Sequence, residues 1–109
     1  MSKKKEIRRR FRESCFERDK YCCVKCGFKS SKDRAEQELD AHHITPRTEM
    51  PNGGYVKENG ISLCSVCHVY AEEFYSTGIA HKGYSVEELY LIINSSLEEA
   101  IKASNKLIL

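Results

Sequence analysis

Tryptophan is absent from this 109-residue chain, aromatic residues make up only 9% of it, and no apolar run approaches the length of a membrane span. The charged N-terminus has no apolar segment resembling the core of a signal peptide. No membrane-spanning helix is therefore expected, and a reducing, cytoplasmic setting is the expectation. The length leaves room for one domain, 1–109, and little for a second. A core this small is commonly stapled by metal or disulfides. In a reducing compartment the six cysteines are better suited to metal than to disulfides.

Acid is scarce at the start. KKKEIRRRFR, from Lys3 to Arg12, holds seven of the 18 basic residues and a single glutamate. Such a block serves equally as a solvated tail or as a partner for backbone phosphate. Ile7, Phe11 and Cys15 recur at four-residue spacing, which predicts a basic helix over Glu6–Arg18 within residues 1–20. YCCVKCG reads as a tight turn closed by Gly27, and SSKDRAEQELD as a loop with at most one helical turn. LDAHHIT and GISLC read as short strands, the second alternating Ile61 and Leu63 against Ser62. EMPNGGYVKEN between them is loop-like. CSVCHVYAEEFY reads as a turn entering a helix, with Val69 and Phe74 on its buried side. Ser85 with Glu88, and Ser96 with Glu99, form capping-box patterns that predict helices at Val86–Asn94 and Leu97–Leu107. Most of Leu89, Leu91, Ile92, Ile93, Leu97 and Ile101 are expected in the core, with a docking surface as the other use for them.

Two cysteine pairs, Cys23-x-x-Cys26 and Cys64-x-x-Cys67, lie 37 residues apart. A two-residue gap lets both thiolates of a turn face one ion, and two such turns complete the tetrahedral sulfur site that structural Zn²⁺ prefers. That site is closed to water, so it serves the fold and not chemistry. Cys22 is an alternative ligand with a poorer gap to Cys26, and Cys15 reads as a core thiol.

The adjacent His42 and His43 would point to opposite faces of a strand. His68 follows Cys67 directly, and Glu72 lies one helical turn beyond it on the same face. Phosphodiester cleavage needs a base, a cation against developing phosphorane charge, and fixed geometry. Histidine suits the first role, and imidazole with carboxylate suits a divalent ion. Taken alone, each of these histidines is more often an ordinary surface or core residue, and Asn59 in its ENG turn is ordinary turn chemistry. Their joint order outweighs those separate readings.

CVKCG, LDAHHITPR and ENGISLCSVCHVYAE together resemble the HNH endonuclease family. The resemblance covers roughly Tyr21 to Phe74. It implies an α+β fold: a ββα-metal core at 21–76, closed by a Cys₄ zinc site and flanked by the basic helix and two C-terminal helices within 85–108. By the same resemblance His42 and His68 are ligands of a catalytic divalent ion, His43 is the general base, and Asn59 holds the base strand. Glu72 stands where some members carry a third ligand, usually histidine, so its ligation is an expectation set against a plain surface glutamate. Arg47, just beyond the base, is placed to grip substrate phosphate or to be a solvated loop arginine. His81 has no assigned role. The expected catalytic ion is Mg²⁺ or Mn²⁺, with Zn²⁺ or Ni²⁺ as alternatives. PNGGYVKENGISLC resembles small stand-alone HNH proteins of phages and prophages. The implied activity is metal-dependent DNA cleavage of low sequence specificity. Its rivals are a non-catalytic zinc-knuckle module binding DNA or protein, and an accessory nuclease subunit of a phage DNA-packaging assembly.

Overall fold

The computed structural model describes residues 3–108, and among these no helix is long and apolar enough to cross a membrane. Helix α1, Lys3–Arg18, begins three residues earlier than its apolar stripe predicts. Glu6 extends it by pairing with Arg9 and, at 3.0 Å, with Arg10 on the solvent side. Its inner face buries Phe11, Cys15 and Phe16. The chain then turns through Lys20 and Tyr21, both in the left-handed region, into the first cysteine knuckle. There Cys23 N donates to Phe28 O at 2.8 Å and Gly27 N to Cys23 O at 3.0 Å. Gly27 takes φ +82°, a conformation that glycine adopts without strain.

One helical turn, α2 (Ala35–Glu38), leads into β1 (Asp40–His43), which pairs antiparallel with β2 (Gly60–Leu63). The register sets His42 opposite Ile61 and His43 opposite Gly60. Helix α3 (Ser65–Thr77) covers the face bearing His42, and α1 covers the face bearing His43 and Gly60. All four β2 residues are therefore buried, Ser62 included, and the expected polar side of this strand does not exist. Two helices on a two-stranded sheet leave β2 no solvent face, while β1 keeps Asp40 exposed at its start. Gly60 makes the closeness possible: a Cβ there would lie 2.4 Å from Cys15 Sγ and 2.6 Å from Phe11 Cε1.

The segment between the strands is not a plain loop. It carries short 3₁₀ turns at Arg47–Glu49, Pro51–Gly54 and Lys57–Asn59. Helix α5 (Leu97–Asn105) packs behind these turns, and α4 (Val86–Ile92) reaches them through the Tyr90 hydroxyl, which donates to Asn59 Oδ1. Asn52 Nδ2 donates to Ser104 O at 3.0 Å and Ser95 Oγ to Glu58 O at 2.8 Å. Ser85 and Glu88 form the full capping box. At Ser96 only the Glu99 N to Ser96 Oγ half is made, at 3.1 Å.

The expected apolar core positions need correction. On α3 the buried residues are Cys67 and Ala71, whereas Val69 and Phe74 are exposed. The cysteine knuckle and the sheet turn that helix so that 67 and 71 face inward, 68 is half-buried and Glu72 stands exposed at its edge. On α4 and α5, Leu89 and Ala100 are buried and Ile93 is partly so, but Leu91, Ile92, Leu97 and Ile101 are exposed. Helices this short, held by caps and by the turns they support, bury a narrow stripe only.

Candidate metal centre and base

Cys23, Cys26, Cys64 and Cys67 bring their sulfurs within 4.8 Å of one another. Tetrahedral zinc with Zn–S bonds of about 2.3 Å separates its sulfurs by roughly 3.7 Å, and Sγ of Cys26 and Cys64 stand 3.6 Å apart. Burial raises the Cys23 thiol, but backbone amides of Cys26, Cys64 and Lys25 overcome it and bring the group down to about 7. Burial pushes Cys67 up to about 12 even though the Tyr84 hydroxyl donates to its sulfur at 3.2 Å. Crowded sulfurs that cannot all ionise unaided are what a bound cation resolves. The donor set fits a structural metal such as zinc. Cys22 is no part of it, since its thiol donates to Lys20 O at 3.3 Å. Cys15 is a fully buried core thiol, raised to about 12 by desolvation.

A second cluster joins His42, His68 and Glu72, again within 4.8 Å. Glu72 Oε1 lies 3.2 Å from His42 Nδ1 and 3.2 Å from His68 Nε2. Ligand bonds of about 2.0–2.2 Å would set neighbouring donors roughly 3 Å apart, so one ion fits among these atoms. His42 is almost wholly buried, and neither of its ring nitrogens makes a hydrogen bond. Burial, reinforced by the neighbouring His68 and His43, pushes its imidazole down to about 3, so the ring is a neutral lone-pair donor. A buried imidazole beside a carboxylate at 3.2 Å, yet with no well-directed hydrogen bond, calls for an explanation, and an ion between His42, His68 and Glu72 supplies one. Behind His68, Asp40 Oδ2 lies 3.1 Å from Nδ1, leaving Nε2 free to face Glu72. A carboxylate behind a metal-facing histidine orients the ring and raises its basicity.

His43 occupies the opposite sheet face, between Phe11 at 4.5 Å and Tyr55 at 4.8 Å, centroid to centroid. Burial, followed by the Arg47 guanidinium, pushes it down to about 4 against the pull of a hydrogen bond to the Gly53 backbone. Its Nε2 is covered and makes no hydrogen bond. Arg47 is exposed, its Nη1 3.5 Å from the Tyr55 hydroxyl.

Asn59 is completely buried and every amide atom is used. Its Oδ1 accepts from Thr45 N at 3.0 Å and from the Tyr90 hydroxyl at 2.8 Å. Its Nδ2 donates to Thr45 O at 3.0 Å and Gly54 O at 3.2 Å. The asparagine thereby ties the end of the histidine strand to the turns before β2. The Tyr75 hydroxyl, donating to Ile44 O, ties that same strand end to α3.

His81 lies outside both clusters, stacked on Tyr70 at 4.1 Å and 3.1 Å from Glu73. Asp40, Tyr84 and Tyr90 were missed by sequence reasoning. Asp40 could have been found by strand parity, two residues before His42, whereas nothing in the sequence marks Tyr84 or Tyr90.

Residues 23–72 match the model of the HNH endonuclease family, from the first knuckle cysteine to the carboxylate of the second cluster. No curated protein and no solved structure matches the chain.

Proposed function

We propose, from an HNH endonuclease domain spanning residues 23–72, that the chain is a divalent-metal-dependent DNA nuclease, with 1–109 acting as one catalytic unit. The observation that carries this reading is the division of adjacent histidines across one strand. His42 converges with His68 and Glu72 on one side, and His43 stands on the other with a neutral ring.

In this reading His42, His68 and Glu72 hold the divalent ion, which supplies positive charge against the phosphorane and the departing oxygen. His43 accepts the proton of the attacking water, for which its neutral form is the competent one. Phe11 and Tyr55, packed on either side of it, hold the His43 ring in place. Asn59 keeps the strand end and the turns in register, so the distance between base and ion does not drift. Asp40 orients His68. The four cysteines, with zinc, close the scaffold. Mg²⁺ or Mn²⁺ is the ion we assign to the catalytic cluster. Low sequence specificity, phage or prophage origin and a cytoplasmic setting complete the reading.

A second reading, a non-catalytic DNA-binding module, is favoured by one observation: His43 Nε2 is covered in this structure. Supercoiled plasmid separates the two. Metal-dependent nicking by the wild-type chain that disappears in His43→Ala supports the nuclease. Absence of nicking in every divalent metal, with zinc and DNA binding retained, supports the module.

A further inference from the structure

The arginines of α1 divide into two groups. Arg9, Arg10, Arg12 and Arg18 each pair with a carboxylate within 3.1 Å. Arg8 pairs with none among the described residues, and neither do Lys4 nor Arg47. These three cations line one cleft of about 430 Å³, between α1 and the Arg47–Tyr55 segment, together with Thr48, Asn52 and Tyr55. No carboxylate lines it.

Tyr55 joins the cleft to the base. Its ring lies 4.8 Å from His43 on one side, and the Arg8 guanidinium sits over it at 5.9 Å on another. Arg47 Nη1 reaches the Tyr55 hydroxyl at 3.5 Å. Burial alone would raise that hydroxyl, yet the two guanidinia bring it below its ordinary value. Like charges gathered around a phenol repel one another, and an anion relieves that repulsion. Thr48 and Asn52 add uncharged polar groups to the same walls. Four of the five arginines of α1 are paired with carboxylates, and the fifth, Arg8, is the one that faces this cleft.

We propose that the cleft seats backbone phosphates of the DNA substrate flanking the scissile one, with Lys4, Arg8 and Arg47 as the binding cations. This rests on the nuclease reading of His43 and extends it, because it states along which wall the strand enters. The phosphates would draw Arg8 and Arg47 away from Tyr55, the ring standing beside the base.

The test is binding of a short fluorescein-labelled DNA duplex to the zinc-loaded full chain, without added divalent ion, across a salt series. Each phosphate contact contributes about 0.9 to the slope of log affinity against log salt. The Arg8→Gln/Arg47→Gln variant should bind at least ~10-fold more weakly at low salt, with a slope shallower by about 1.8. Lys82→Gln/Lys102→Gln removes the same charge from exposed positions elsewhere and should leave the slope unchanged. Equal slopes in wild type and the arginine variant, or equal losses in the two variants, would overturn the cleft. Plasmid nicking by wild type distinguishes the two failures. Nicking with an unaltered slope defeats the cleft alone. An altered slope without nicking defeats the nuclease reading and leaves the cleft standing as a DNA-binding site.

Discussion

Asp40 Oδ2 lies 3.1 Å from His68 Nδ1, and the opposite nitrogen of the same ring faces Glu72 Oε1 at 3.2 Å. A residue of the first strand thus orients a side chain of the helix that follows the second. Asp40→Asn should weaken divalent-ion binding by about 10-fold, in the range expected for loss of a carboxylate behind a histidine ligand. Titration calorimetry with Mn²⁺ measures it, and zinc content of the cysteine site should stay constant.

Asn59 makes four side-chain hydrogen bonds in a fully buried setting. Asn59→Ala leaves Thr45 N and the Thr45 and Gly54 carbonyls without this partner. Each unsatisfied buried group costs about 1–3 kcal/mol, so a loss of about 3 kcal/mol is expected in urea unfolding. Nicking should fall with it even under conditions where the variant is folded.

Gly60→Ala places a methyl 2.4 Å from Cys15 Sγ and 2.6 Å from Phe11 Cε1. Overpacking of this kind costs about 1–3 kcal/mol. Adding Cys15→Ala removes one of the two clashes and should recover part of the loss. Thermal melts of the single and double variants would show the coupling, and strict additivity would refute it.

Burial depresses both strand histidines, His42 to about 3 and His43 to about 4, against an ordinary value of 6.5. The unfolded chain therefore binds more protons than the folded chain between pH 6.5 and those values. Stability from the neutral rings is complete above pH 6.5 and is lost as pH falls below it towards 4 and 3. The urea midpoint should drop between pH 7 and 5, and His43→Phe should make that drop smaller. A midpoint that rises on acidification would contradict the burial of these rings.

Removing the metal from the four cysteines should loosen the knuckles, because the first is otherwise held by a few short turns and an isolated bridge between Cys22 and Lys29. A thiol-competitive chelator should lower the melting temperature, and zinc should restore it. Cys22→Ser should behave as wild type, since its thiol points elsewhere.

Both cysteine pairs, the doubled histidine and the asparagine could be read before any fold was known. Their chemistry is carried by residue type and by spacing along the chain. Strand parity alone placed His42 and His43 on opposite faces, as the structure has them. The apolar positions of α3, α4 and α5 were less legible: Val69, Phe74, Leu91, Ile92, Leu97 and Ile101 are exposed although their types suit a core. Helical phase there follows from the knuckle and the caps, and hydrophobicity of single residues carries no record of that choice.

The amino-acid sequence by itself determined which atoms could hold a metal, because two-residue and four-residue spacings confine ligands to one turn whatever surrounds them. Tertiary structure alone decided what stands beside those atoms. Asp40 reaches His68, Tyr84 reaches Cys67, Tyr90 reaches Asn59, and Arg8 and Arg47 meet over Tyr55, each pair distant in sequence. Such contacts depend on how helices cross a two-stranded sheet. That crossing is set by packing around Gly60 and Cys15, where the absence of one Cβ lets α1 come close enough to wall in His43.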